Sequence, residues 1–155
     1  MAAYTRKENW GASETFYQLV RGLLAGQVPK PGEEPSPRSP DQAPSVNLLG
    51  PTKLGFRCRD DVVEVRRLLE SMGVRVNVVA PLDATPRDLL RIPEADANIN
   101  LAPEVSDLTC EWLRRQFKQP TISTVPLGWG ATRDFIAEAV QKVTYPDSED
   151  GAESD

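Results

Sequence analysis

Between residues 45 and 143, short apolar stretches alternate with longer stretches of helical periodicity, and no other feature of the chain restricts its fold as tightly. Val46-Asn47-Leu48-Leu49, residues 74–80, Ala97-Asn98-Ile99-Asn100-Leu101 and residues 120–125 read as strands. They are apolar on both faces, as parallel strands are when helices cover the sheet on both sides. The helix after the first strand carries its buried stripe on Val62, Val65, Leu68, Leu69 and Met72. Asp60 and Asp61 complement its positive end, and Gly73 is its C-terminal stop. Thr85 then caps a short helix through Arg91, with Pro86 at the first helical position and Asp88 three residues past the cap. Residues 105–117 form the next helix, with Leu108, Trp112 and Leu113 facing inward. Gly128-Trp129-Gly130 turns into a last one, lined by Phe135, Ile136, Ala139, Val140 and Val143. Strand and helix in this order predict an α/β fold, a Rossmann-like parallel sheet with helices on both faces.

Two segments precede that unit. Phe16, Leu19, Val20, Leu23 and Leu24 recur at helical spacing within residues 12–24, an amphipathic helix that needs a partner surface. Gly11 or Ser13 suits its cap and Gly26 its stop. Residues 25–44 then hold Pro29, Pro31, Pro35, Pro37, Pro40 and Pro44 among Ser, Glu, Gly and Gln, a composition with too little apolar surface to offset the entropy of ordering. They read as a Pro-rich flexible linker. The expected organisation is therefore a helical segment over 1–24 from the end of a preceding domain, a linker over 25–44, the α/β domain over 45–143 and an acidic disordered tail over 144–155.

Charge and side-chain inventory exclude several functions. The chain carries 23 acidic and 18 basic residues, and five of the acids fall in the last nine positions, so the remainder is nearly neutral and offers no basic face for a phosphate backbone. Nucleic acid is not an expected partner. There is no histidine, and the two cysteines, Cys58 and Cys110, lie far apart without a CxxC spacing, which excludes a self-contained zinc site or a serine–histidine catalytic system. No stretch approaches the roughly 20 apolar residues of a membrane span.

In a Rossmann-like sheet the ligand crevice lies outside the carboxyl ends of the strands, here the turns at 50–59, 81–85, 102–104 and 126–132. The first of these, Gly50-Pro51-Thr52-Lys53-Leu54-Gly55, matches neither the dinucleotide fingerprint nor the Walker loop. Gly128 to Thr132 places backbone N–H groups at a helix start, where an anion or a packing neighbour fits equally well. No acid, base and nucleophile converge by spacing on a catalytic constellation. Phe56, Arg57 and Trp129 sit on these turns.

Several ordered blocks carry a resemblance. Arg6-Lys7-Glu8-Asn9-Trp10-Gly11-Ala12, with Glu14-Thr15-Phe16 after it, is followed beyond the linker by Val46-Asn47-Leu48-Leu49-Gly50, by Leu54-Gly55-Phe56-Arg57-Cys58-Arg59-Asp60-Asp61-Val62 and by Ala80-Pro81-Leu82. Thr124-Val125-Pro126-Leu127-Gly128 and Gly130-Ala131-Thr132-Arg133-Asp134-Phe135 complete the set. Together they resemble the B-subunit family of the dark-operative, nitrogenase-like protochlorophyllide reductases, along the whole chain except the linker and the tail.

The resemblance implies an internal fragment of an oxidoreductase subunit of chlorophyll biosynthesis. It implies an N–B heterotetramer with a 4Fe-4S cluster at the N/B interface, fed by an iron–sulfur L protein that hydrolyses ATP, and located in the cytoplasm of a phototrophic bacterium or a plastid stroma. In that family the cluster-ligating aspartate of the B subunit lies upstream of the blocks matched here and the proton-donating aspartate downstream. No catalytic or metal-binding residue is therefore carried over, and no cofactor is expected on this chain by itself. It is the family resemblance that makes Phe56, Arg57 and Trp129, on their strand-end turns, the candidates for facing a substrate or a partner. The alternative expectation is a standalone Rossmann-like interaction module without catalysis.

Overall fold

The structure, a computed structural model, describes residues 8–33, 39, 41–52, 58–123, 134 and 138. Helix α1 spans Glu8–Leu24 and runs into a 3-10 turn at Ala25–Gln27. Strand β1 (Ser45–Leu49), helix α2 (Cys58–Ser71) and strand β2 (Arg75–Ala80) follow. Next come the single-turn helix α3 (Pro86–Leu89), a 3-10 turn at Ile92–Glu94, strand β3 (Ala97–Asn100), helix α4 (Pro103–Phe117) and strand β4 (Thr121–Ile122). The four strands form one sheet in the order β2-β1-β3-β4, and every pairing is parallel. The alternation in the sequence is thus an α/β sheet, with helices on both faces.

Period-two alternation divides each strand between those faces. Val46 and Leu48 of β1, Ala97 and Ile99 of β3 and Ile122 of β4 pack with Val62, Val65 and Leu69 of α2. On the opposite face Leu49, Val78 and Ala80 meet Phe16, Val20 and Leu24 of α1 and Val105, Cys110, Leu113 and Phe117 of α4. Register between β1 and β2 slips by one residue, Val46 opposing Val76 while Leu48 opposes Val79. Asn77 and Val78 thus face the single residue Asn47, a β-bulge that keeps both on the α1–α4 side.

Local chemistry closes the elements as expected at two ends. Gly73 takes φ +78, its N–H donates to the Glu70 carbonyl and that of Val74 to the Leu69 carbonyl, a Schellman stop with Val74 buried on Leu69. Thr85 forms a capping box with Asp88: the Asp88 N–H donates to Thr85 Oγ1, and the Thr85 N–H to Asp88 Oδ2. The Thr85 N–H, and then the Thr85 hydroxyl donating to the same Oδ2, hold the Asp88 carboxyl below the usual carboxylate range.

Elsewhere the structure corrects the sequence reading. α1 begins at Glu8, so Gly11 and Ser13 lie inside it and do not cap it, and Ser13 is buried. Leu19 is 47% exposed, because the buried stripe of α1 runs through Ser13, Phe16, Val20 and Leu24 and Leu19 stands roughly 100° away around the helix. Leu108, at 43% exposed, is likewise off the stripe of α4 set by Val105, Thr109, Leu113 and Phe117. Trp112 is half-buried and meets Phe117 edge-on at 5.7 Å. α3 stops at Leu89, short of Arg91. The partner surface that α1 needs is α4, since their apolar stripes share one core.

Candidate functional site

Polar side chains gather on the sheet in two places, both on the α1–α4 face. One is a ladder of amides that runs across the width of the sheet. The Asn77 amide donates to Asn47 Oδ1 at 3.0 Å, the Asn47 amide to Asn98 Oδ1 at 2.7 Å, and the Asn98 amide to Gln119 Oε1 at 3.1 Å. The same groups collect carbonyls from the turn before β3: Asn47 and Gln119 donate to Ile92, Gln119 to Ala95, and Asn77 to Arg91. Asn47, Asn98 and Gln119 are buried. A buried amide left unpaired costs about 1–3 kcal/mol, so a ladder that satisfies each member fixes strand against strand and holds the turn beneath.

The second cluster stands at the carboxyl ends of β1 and β3. Here the chain, having left β1 for β2 on one side, crosses to β3 on the other, the reversal of strand order at which open α/β sheets bind ligands. Asn100, the last residue of β3, is buried; its Oδ1 accepts from the Ser106 hydroxyl at 2.6 Å and its amide donates to Asp107 Oδ1 at 2.6 Å. Gly50 leaves β1 at φ +109, and a Cβ there would lie 2.7 Å from the Ala102 nitrogen and 2.8 Å from Ser106 Oγ. Only glycine permits this contact. The Gly50 N–H donates to the Ala80 carbonyl and that of Leu101 to the Leu49 carbonyl, so the three strand ends are tied together.

These contacts define what the crevice can do. The first turn of α4 has Pro103 without an N–H, the Ala102 nitrogen under Gly50, and the Glu104 carboxylate, an arrangement that repels a phosphate. Of the four turns read from the sequence, 81–85 and 102–104 are described throughout. Arg59 and Asp83 bridge the first and second of them at 3.0 Å, an exposed pair contributing about 0–1 kcal/mol. Phe56, Arg57 and Trp129 lie outside the described residues. The amides, Ser106 and Asp107 escaped the sequence reading, although asparagine recurring at positions 47, 77, 98 and 100 of apolar strands was the available signal.

Nothing in this set suits an iron–sulfur cluster. Among the described residues no three His, Cys, Asp or Glu side chains group to hold a metal. Cys110 is buried, and its thiol is pushed up to about 12 by desolvation and by the Asp107 charge, against the hydrogen bonds of Ser106 and Thr121. A thiol so held stays protonated and is a poor ligand. No helix among the described residues is long and apolar enough to cross a membrane.

Comparison with known proteins extends this picture. The family model described as nitrogenase component 1 type oxidoreductase matches residues 1–154. The B subunit of the light-independent protochlorophyllide reductase of Halorhodospira halophila (strain DSM 244 / SL1) is 64% identical over 151 residues, 97% of this chain and 28% of the relative. Proteins of the same name from Synechococcus sp. (strain RCC307) and Prochlorococcus marinus (strain MIT 9211) are 58% and 52% identical over 89% and 99% of the chain, again covering 27% and 30% of the relatives. The chain thus spans less than a third of the length of the curated relatives it matches.

Proposed function

The chain belongs to the nitrogenase component 1 type oxidoreductase family, and from that premise we propose that it forms part of the B subunit of a light-independent protochlorophyllide reductase. The observation that carries this reading is 64% identity sustained along 97% of the chain to a protein of that name. Its reaction is the ATP-dependent reduction of one ring double bond of protochlorophyllide, giving chlorophyllide for chlorophyll or bacteriochlorophyll synthesis. The partners are the N subunit, in a heterotetramer, and the iron–sulfur L protein. The compartment is the cytoplasm of a phototrophic bacterium or the plastid stroma.

The 4Fe-4S cluster of the intact complex is proposed to take its ligands from outside this chain, as the family resemblance implies. This segment's own work is structural and steric. The sheet holds the turns at its carboxyl edge in place, and Phe56, Arg57 and Trp129 are proposed to face cluster, substrate or partner subunit. An aromatic face stacks on a flat conjugated macrocycle, and a guanidinium fork binds a carboxylate. The α/β domain over 45–143, the segment 1–24 leading into it and the linker 25–44 are proposed as its organisation, with 144–155 an acidic tail.

The test is a transplant. This sequence replaces the corresponding segment of the Halorhodospira halophila protein, and the complex is assembled anaerobically with its partner proteins, protochlorophyllide and an ATP supply. Chlorophyllide formation within about tenfold of the unmodified complex is expected, a loss of at most about 1.4 kcal/mol of transition-state stabilisation. An assembled, cluster-loaded complex that forms no chlorophyllide defeats the reading.

A further inference from the structure

We infer that Asn100 is a positioning residue for the reductase reaction, acting with Ser106 and Asp107 to set the turn of residues 101–103 at the carboxyl edge of the sheet; this inference rests on the function proposed above. Stability alone does not call for an amide at this place. One apolar core already joins β3 to its neighbouring strands and to α2, and an aliphatic residue at the end of β3 would extend the other core, where α4 packs. Instead the chain buries an asparagine and satisfies it from two consecutive residues of the first turns of α4, Ser106 on its oxygen and Asp107 on its nitrogen, each at 2.6 Å.

Three independent restraints converge on the same few residues. The Leu101 N–H is held by the Leu49 carbonyl. Asn100 grips α4 from the side. Gly50 presses on Ala102 and Ser106 without room for a methyl group. A turn fixed from three directions, at the point where strand order reverses, is a wall held for a ligand beyond it. The surface it presents, Ala102 and Pro103, is uncharged and suits the flat apolar face of a macrocycle, with the exposed Glu104 carboxylate at its edge.

Because the amide both accepts and donates, its role can be separated from burial. Asn100→Asp sets two carboxylates against each other, and Asp107→Asn added to it restores both hydrogen bonds with the donor and acceptor of one exchanged. In the transplanted complex, kcat and KM for protochlorophyllide are measured for both, well below the melting temperature of each. Displacement of a positioning group costs on the order of 10- to 100-fold, so Asn100→Asp is expected to lower kcat about tenfold and the double variant to recover to within about threefold. Should Asn100→Asp fail to assemble, Ser106→Ala removes one hydroxyl only and is expected to lower kcat about threefold in an assembled complex. Overturning results are kcat within twofold of the transplanted parent for Asn100→Asp or Ser106→Ala, or a double variant as slow as the single one at equal cluster content. A transplanted parent without turnover defeats the functional reading itself, and the positioning role with it.

Discussion

The two faces of the sheet are built from alternate residues of the same strands, yet they differ in kind. Toward α2 every inward residue is aliphatic: Val46, Leu48, Ala97, Ile99 and Ile122. Toward α1 and α4 the neighbours of those residues are Asn47, Asn98 and Asn100, interspersed with Leu49, Val78 and Ala80. Aliphatic packing is favourable in many arrangements, whereas an amide with four hydrogen-bonding positions is satisfied in few. The α2 face therefore supplies stability, and the opposite face selects one register and one placement of the turns.

That contrast breaks most readily at the α2 face. Leu48 is completely buried, and Leu48→Ala should cost about 2–5 kcal/mol in urea or thermal unfolding, the range for a leucine truncated in a core that cannot collapse around the gap. A cost below about 1 kcal/mol would show that this face is not packed as described. On the other face, Asn98→Ala removes few apolar contacts but takes the Asn98 donor from Gln119 Oε1 and leaves the Asn47 amide only its Ile92 acceptor, so about 1–3 kcal/mol is expected. The sharper signature is loss of uniqueness: amide exchange in β1 and β3 should quicken more than the fall in global stability accounts for. Equal quickening in both variants would erase the distinction between the faces.

Legibility in the sequence followed the same divide. Among the described residues the strands, helices, their order and the two glycine- and threonine-marked helix ends were readable, because each rests on apolar periodicity or on local capping chemistry, while Phe135, Ile136, Ala139, Val140 and Val143 of the last expected helix lie outside the described residues. Leu19 and Leu108 misled, since a leucine beside a buried stripe looks the same as one within it until the neighbouring helix is placed. The amide ladder was not readable: Asn47, Asn77, Asn98 and Gln119 become one network only when β2, β1 and β3 lie side by side, in an order unlike their order in the chain. Gly50 read as part of a turn that matches neither phosphate fingerprint, and its reason, contact with α4 about fifty residues on, is equally non-local. The candidates Phe56, Arg57 and Trp129 rested on their place in strand-end turns and on family resemblance, and neither source specifies what they touch.

The smallest effect belongs to neither face but to the turn between them, and it isolates local chemistry from packing. Thr85 and Asp88 close α3 through a reciprocal pair of hydrogen bonds on the surface, next to the strand end at Ala80. Thr85→Ala should cost about 1 kcal/mol near neutral pH, as loss of an N-cap hydroxyl does. The Asp88 carboxyl is held below its ordinary value of 3.8 in the folded chain, first by the Thr85 N–H and then by the Thr85 hydroxyl. A carboxyl with a depressed folded value stabilises the fold above its unfolded value, and that contribution is lost as pH falls through the folded value. The stability gap between the parent chain and Asp88→Ala should therefore be full at pH 6 and close as pH drops below 3.8, whereas the gaps for Leu48→Ala and Asn98→Ala should persist, because neither removes a group that titrates there. Urea unfolding of the three variants across that range reads all of this at once. If the Asp88→Ala gap stayed constant with pH, the capping box would not be closed in solution, and the turn at residues 81–85 would be held by its other contacts, the Arg59–Asp83 pair and the Leu82 N–H on the Pro51 carbonyl among them.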